Sequence, residues 1–143
     1  MTDREEFLAG NRPDDVAIFL AADAVSNPGA LAEYAENVDN GIVLVLPGEK
    51  GRSAFQSVAG TDPMALAQEA MDTTGDIDDD LTGGTCPVTQ DEPDGDHHVQ
   101  FVFAFAEAQN DEVGGMYAEG DVIHAYAVCA CGERFSQKWV AEA

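Results

Sequence analysis

Basic residues are scarce in this chain of 143 residues. Lysine and arginine together number 6, against 28 aspartates and glutamates, which gives a formal net charge of −22 at pH 7. Because nucleic-acid surfaces need clustered cations, this excess of anions argues against broad nucleic-acid binding. Like charges repel one another in a compact fold unless salt screens them, so we expect a protein that folds in concentrated salt. The acidity is then weak evidence for a basic partner.

Long apolar runs are lacking as well. The longest, VAIFLAA at 16–22, has the length of a strand, whereas a membrane-spanning helix needs ~20 apolar residues. The first ten residues, MTDREEFLAG, are acidic and contain no apolar segment typical of a secretory signal. The sequence therefore predicts no membrane association, a cytoplasmic location and cysteines that stay reduced.

The apolar segments that are present are short but regular, which favours a folded chain over disorder. At this length one hydrophobic core is expected, so we predict a single domain over 1–143. Only two lysines stand among the many carboxylates, and this composition resembles that of proteins from halophilic archaea. The chain as a whole resembles the small, acidic, uncharacterised proteins of these organisms. That resemblance accounts for the charge and implies no activity.

The first half of the chain alternates strand and helix patterns. DDVAIFLAAD predicts a strand at 15–22 that is buried on both faces, and IVLVLPG predicts a second at 42–48. Between them, SNPGALAEYAENV at 26–38 has apolar residues at helical spacing, so a right-handed parallel crossover is expected. SAFQSVAG and TDPMALAQEAMD then predict two helices, the second capped by Thr61 or Asp62.

The second half is rich in strand patterns. Residues 73–96 are acidic and rich in glycine and proline, which predicts a loop between the two halves. In HHVQFVFAFAEAQ, four apolar side chains alternate and should share one face: Val99, Phe101, Phe103 and Phe105. A short strand, a long strand at 121–131 and a last strand at 134–141 follow. The prediction is a mixed α+β fold, a β-α-β-α portion followed by an antiparallel hairpin sheet, in one mixed sheet with helices against one face.

The cysteines and histidines suggest a metal site. Zinc binds about four thiolate or imidazole ligands in a tetrahedron. The candidates are Cys86, His97, His98, Cys129 and Cys131. The segment CACGERFSQKW resembles the knuckle of a zinc-ribbon hairpin, with Gly132 free to adopt positive φ, although one residue rather than two separates its cysteines. Neighbouring residues of a strand face opposite ways, so only one histidine should reach the metal, and we slightly favour His98.

A structural interpretation of the same residues stays open. Cys129 and Cys131 would then be small core residues on one face of a strand, and Cys86 an incidental loop thiol. Redox chemistry is less favoured, because cysteines separated by one residue form only a strained disulfide. Arg134, Lys138 and Trp139 form a possible cation-aromatic patch, but a single tryptophan at a hairpin end is more often a lid on the core.

The segment LPGEKGRSAF suggests a different kind of site. Lys50 and Arg52 follow a buried strand and precede a helix that Ser53 would cap, a place where anions bind in many α/β folds. The segment lacks the spacing of a P-loop. By elimination, the sequence favours a non-enzymatic interaction or adaptor module with a structural zinc and an unidentified protein partner. The alternative is a small binder or enzyme that uses residues 48–53 for an anionic ligand such as a phosphate or nucleotide.

Overall fold

The computed structural model describes residues 3–12, 14–22, 35–38, 40–78, 81–87, 97–109 and 112–141. Its elements in chain order are α1 (Asp3–Leu8), β1 (Asp15–Ala21), β2 (Ala35–Val38), β3 (Gly41–Pro47), α2 (Gly48–Ala59), α3 (Pro63–Ala70), β4 (Asp76–Ile77), β5 (Gly84–Thr85), β6 (Val99–Glu107), α4 (Met116–Glu119), β7 (Val122–Cys129) and β8 (Arg134–Val140). The predicted mixed α+β class is confirmed. Among these described helices, none has the length and apolar content needed to cross a membrane.

Six strands form one sheet in the order β2-β3-β1-β6-β7-β8, and neighbouring strands pair antiparallel. β4 and β5 form a separate two-stranded sheet. β1 lies inside the large sheet between β3 and β6, and its alternate side chains are buried in clusters on the two faces of the sheet, which explains its continuous apolar sequence. One face carries Val16, Ile18 and Leu20, and the other carries Ala17, Phe19 and Ala21.

The parallel crossover predicted for the first half is wrong. β1 and β3 are direct neighbours and run antiparallel, from Asp15 opposite Pro47 to Ala21 opposite Gly41. Residues 35–38, predicted as the end of a helix, form β2 and pair with β3. The rest of that predicted helix, residues 26–34, lies outside the described residues. Four residues are too few to distinguish a helical from a strand period, and here pairing with β3 determines the conformation.

The core lies on both faces of the sheet. α2 and α3 cover one face, which we call the helix face, with Phe55 and Leu66 buried against it. Asp62 caps α3 as predicted, accepting a hydrogen bond of 2.7 Å from the Met64 N–H. On the opposite face Phe7 of α1 is fully buried, so the expectation that the helices lie on one face only is wrong.

The chain passes from the helix face to the opposite face along the edge of β8. Residues 73–77, here called the crossing segment, run beside this strand. Ser136 N donates to Thr73 O at 2.8 Å, and Gly75 N donates to Ser136 O at 3.0 Å. Ile77 N then donates to the side-chain Oε1 of Gln137 at 2.6 Å. Part of the predicted acidic loop is therefore hydrogen-bonded to the sheet and leads into β4 and β5, while residues 88–96 lie outside the described residues.

The C-terminal antiparallel strands agree with the prediction, with differences in detail. Residues 116–119 form α4 where a short strand was predicted. Phe101, Phe103 and Phe105 share the helix face as expected, but Val99 lies on the opposite face. The cause is a register shift between β6 and β7, in which Val99 is opposite Cys129 while Phe101 is opposite Val128.

Candidate metal centre

Four side chains from three separate segments converge near the β7–β8 turn. The ligand atoms of Cys86, His97, Cys129 and Cys131 all lie within 4.8 Å of one another. Cys86 Sγ is 3.7 Å from Cys131 Sγ, and Cys129 Sγ is 4.0 Å from His97 Nδ1. In a tetrahedral zinc site with Zn–S bonds of ~2.3 Å, neighbouring sulfurs are about 3.8 Å apart. The observed separations suit a tetrahedral ion with little rearrangement.

The β7–β8 turn holds two of the thiols. Cys129 is the last residue of β7, and Cys131 lies in the turn itself. Cys129 N donates to Glu133 O, and Gly132 N donates to Cys129 O, both at 2.9 Å. Gly132 has φ of 96°, a conformation that favours glycine. The predicted glycine of positive φ beside the two cysteines is therefore confirmed, and the tight turn brings both thiols to one side.

The histidine that the structure brings into the cluster is His97, and not His98, which the sequence slightly favoured. The alternation argument does not apply, because both histidines precede Val99, the first residue of β6. The backbone before β6 is held against the turn by a hydrogen bond of 2.9 Å from Ala130 N to His98 O. The His98 side chain instead lines a separate cavity of about 850 Å³, which also contains the ion pair between Arg4 and Glu36.

Cys86 lies with Cys129 in the core on the face of the sheet opposite the helix face. It follows β5, whose pairing with β4 places Asp76 opposite Thr85 and turns the chain back toward the β7–β8 turn. Cys86 is only 2% exposed and belongs to the buried cluster that includes Leu81. The interpretation of Cys86 as an incidental loop thiol does not fit this position, 45 residues from Cys131 in sequence and beside it in space.

The thiols of the turn differ in their affinity for protons. Burial raises the pKa of Cys129 to about 12, opposed by a hydrogen bond from the Cys131 backbone N–H. Desolvation also acts to raise the pKa of Cys131, but hydrogen bonds from the Glu133 backbone, Cys129, His97 and Cys86 outweigh it, so this pKa lies below its ordinary value. Of these two thiols, Cys131 therefore loses its proton more readily, and a cation that binds Cys129 as a thiolate must displace its proton.

The residues of the predicted anion site do not form a loop. α2 begins at Gly48, after Pro47, so Lys50, Arg52 and Ser53 all lie within the helix and are exposed. Ser53 does not cap the helix, and that detail of the prediction is wrong. Anion binding by this segment stays a prediction.

A family model matches residues 35–142, well over half of the chain. The chain belongs to a family of unknown function, DUF5807. The match spans every strand from β2 to β8 and all four side chains of the cysteine–histidine cluster. No curated protein and no solved structure matches this DUF5807 chain.

A second polar cluster, around Tyr117, His124 and Lys138, was not predicted from the sequence. The sequence grouped Lys138 with Arg134 and Trp139, but Lys138 and Trp139 are neighbours on β8 and face opposite ways. Trp139 packs against the core of the opposite face, and Arg134 pairs with Glu69. The β7–β8 hairpin register, which places His124 opposite Lys138, was the signal that could have indicated this cluster.

Proposed function

We propose that this DUF5807 protein binds one structural zinc ion through Cys86, His97, Cys129 and Cys131. The observation that carries the proposal is the approach of four ligand atoms to within 4.8 Å of one another. Three cysteines and one histidine are a common ligand set of structural zinc sites. Four protein ligands complete the tetrahedron and leave no open position for a substrate, which favours a structural over a catalytic role.

The ion would cross-link three segments of the fold. Cys86 follows the crossing segment and β4–β5, His97 precedes β6, and the other two ligands belong to the β7–β8 turn. A ligand that binds only the folded state stabilises it by mass action, so zinc would add directly to the free energy of unfolding. The segment after α3 would gain the most stability from the ion, because its hydrogen bonds to the large sheet are made along the edge of β8.

Metal analysis tests the zinc proposal. Because His97 and His98 are adjacent in sequence, the same substitution at each gives a variant and its matched control. Protein purified without chelator is expected to contain about one equivalent of zinc, as one tetrahedral site requires. Cys131→Ser and His97→Gln should lose the metal, whereas His98→Gln should keep it. Absence of zinc from the purified protein together with no binding on titration would refute the proposal. Equal losses in the two histidine variants would refute the ligand assignment.

We further propose that the zinc-bound protein is a non-enzymatic interaction module of the cytoplasm of a salt-adapted cell. Support comes from Met64 and Met71 at the two ends of α3, which are 44% and 63% exposed. Methionine side chains are flexible and adapt to apolar partner surfaces. A protein retained by the wild type in high salt, and released by the double change of Met64 and Met71 to serine, would support this role. Equal retention by both forms would contradict it.

A further inference from the structure

A cavity of about 540 Å³ lies on the helix face of the sheet, away from the cysteines. In the β7–β8 register His124 is opposite Lys138 and Tyr126 is opposite Ser136, so these four side chains stand together on one face. Tyr117 of α4 and Met71, which follows α3, complete the wall with Thr74 and Gln137. This volume lies within the range of pockets that hold small molecules.

The polar groups of this cavity have defined neighbours. Lys138 Nζ donates to the Tyr117 hydroxyl oxygen at 3.4 Å, which leaves the phenolic proton of Tyr117 available for another acceptor. His124 Nε2 is hydrogen-bonded to Glu107 Oε1 at 2.8 Å. Burial is the main factor that raises the pKa of Tyr126, so its hydroxyl stays protonated at neutral pH. The cavity thus presents the Lys138 amino group and the hydroxyl groups of Tyr117 and Tyr126.

Lys138 differs from most cations of the chain in its surroundings. Arg4, Arg12 and Arg134 each form ion pairs with carboxylates. Lys138 instead contacts the Tyr117 hydroxyl, and the described residues that line the cavity include no aspartate or glutamate. The carboxylate of Glu107 lies beside the lining and is hydrogen-bonded to His124. In a chain with 28 acidic residues, a pocket lined by a lysine and no acid in the described structure is suited to an anion from outside.

We infer that this cavity, here called the Lys138 pocket, binds a small organic anion. A carboxylate or phosphate group would accept hydrogen bonds from Lys138 Nζ and from the Tyr117 hydroxyl. The apolar or aromatic body of the ligand would lie against Met71 and the ring of Tyr126. Charge-assisted hydrogen bonds to an ammonium group give such a ligand its orientation, and the rings give it contact area.

Calorimetric titration of the protein purified without chelator tests the inference. The probes are phenyl phosphate, benzoate and inorganic phosphate, at an ionic strength held constant with chloride because anions also screen the protein's charge. Saturable binding of phenyl phosphate or benzoate is expected, and the better probe identifies the head group. Lys138→Gln should weaken binding about tenfold or more, and Tyr117→Phe by a few-fold, as losses of a charged and a neutral hydrogen bond.

The chain offers a matched control, because Lys50 is its only other lysine. Lys50 lies exposed on α2, and Lys50→Gln changes the net charge by the same amount as Lys138→Gln. Lys50 also belongs to the other predicted anion site, at residues 48–53, so this variant distinguishes the two sites. A ligand of the Lys138 pocket should bind Lys50→Gln as tightly as wild type, whereas a ligand of residues 48–53 should bind it more weakly. The inference is overturned if no ring-bearing probe binds saturably or if the two lysine variants weaken binding equally. It is also overturned if inorganic phosphate binds as tightly as phenyl phosphate.

Discussion

Cys129 occupies the buried side of the cysteine–histidine cluster. Cys129 is only 1% exposed, and burial raises the pKa of its thiol from 9.0 to about 12. The folded, metal-free protein therefore holds a proton at this sulfur that the unfolded chain releases near its ordinary pKa. Such a difference links stability to pH. The contribution of the protonated Cys129 thiol to the free energy of unfolding is complete below pH 9. It is lost as the pH rises toward 12.

We accordingly expect the chelated protein to lose free energy of unfolding between pH 9 and about 11, by at most about 1.4 kcal/mol per pH unit. Cys129→Ala has no thiol to titrate at this position. The free energy of unfolding of the chelated wild type should therefore approach that of the chelated variant between pH 9 and about 11. Urea denaturation at several pH values measures it. In the zinc-loaded protein the proton is already displaced, and the loss attributable to Cys129 should be absent. A difference that stays constant with pH in chelated samples would contradict the expectation.

The candidate ligands could be named from the sequence, but the choice between the two histidines could not. Cysteines beside Gly132 indicated a tight turn, and the structure has one. The choice of His98 assumed that both histidines belong to a strand, whereas β6 begins only at Val99. Their orientation depends on the hydrogen bond from Ala130 to the His98 carbonyl, a contact between residues 32 apart that no local pattern reveals.

The crossing segment leads along β8 into β4 and β5, and so toward Cys86 of the cluster. Gly75 lies against β8 so closely that a Cβ atom there would be 2.5 Å from the ring of Phe135, which is fully buried. Gly51 on α2 is similarly close to the sheet, since a Cβ atom would be 2.0 Å from Val16 Cγ2. The two glycines allow close packing on opposite faces of the same sheet.

Alanine at either position should therefore destabilise the protein, by about 1–3 kcal/mol, because the added methyl group must displace packed atoms. Only Gly75→Ala should also weaken zinc binding, since only this residue lies on the segment that leads to Cys86. Gly48→Ala is the control: its Cβ atom would be 3.5 Å from the nearest atom, so stability should change little. Denaturation midpoints and zinc titration of the three variants give the answer. Equal effects on zinc affinity at Gly51 and Gly75 would show that the crossing segment has no special role.

Elements buried on two faces were the most predictable parts of the fold. β1 and β3 are continuous apolar runs because each contacts the core on both sides, and both were located to within a residue or two. β2 was misassigned because its four residues contain no clear period. The short helices α1 and α4 were missed, since their positions depend on packing and turns more than on a long amphipathic pattern.

At the scale of the whole molecule, charge repulsion dominates the electrostatics. All six basic residues together could neutralise only a small part of 28 carboxylates. Arg12 alone contacts three of them, Asp3, Glu6 and Asp15. The remaining negative charge opposes compaction, and it does so less when salt shortens the range of the interaction.

Stability should consequently rise with salt. From 0.1 M to 1 M salt the Debye length falls from ~10 Å to ~3 Å, so we expect a clear increase in melting temperature over this range. Differential scanning calorimetry in potassium chloride measures it, and sorbitol at equal osmolality is the control for effects unrelated to charge. A melting temperature that is constant or lower in salt, or an equal gain in sorbitol, would contradict the prediction.

The path of the crossing segment affects whether β8 can pair with a strand of another molecule. β8, with seven residues from Arg134 to Val140, is an outer strand of the sheet, and an outer strand with free backbone groups is a template for pairing with another chain. The crossing segment occupies both the N–H and the C=O of Ser136 in this strand. Loss of the metal would loosen that segment and uncover the strand. If the cluster holds zinc as proposed, the metal-depleted form would then be the more prone to aggregate through this strand.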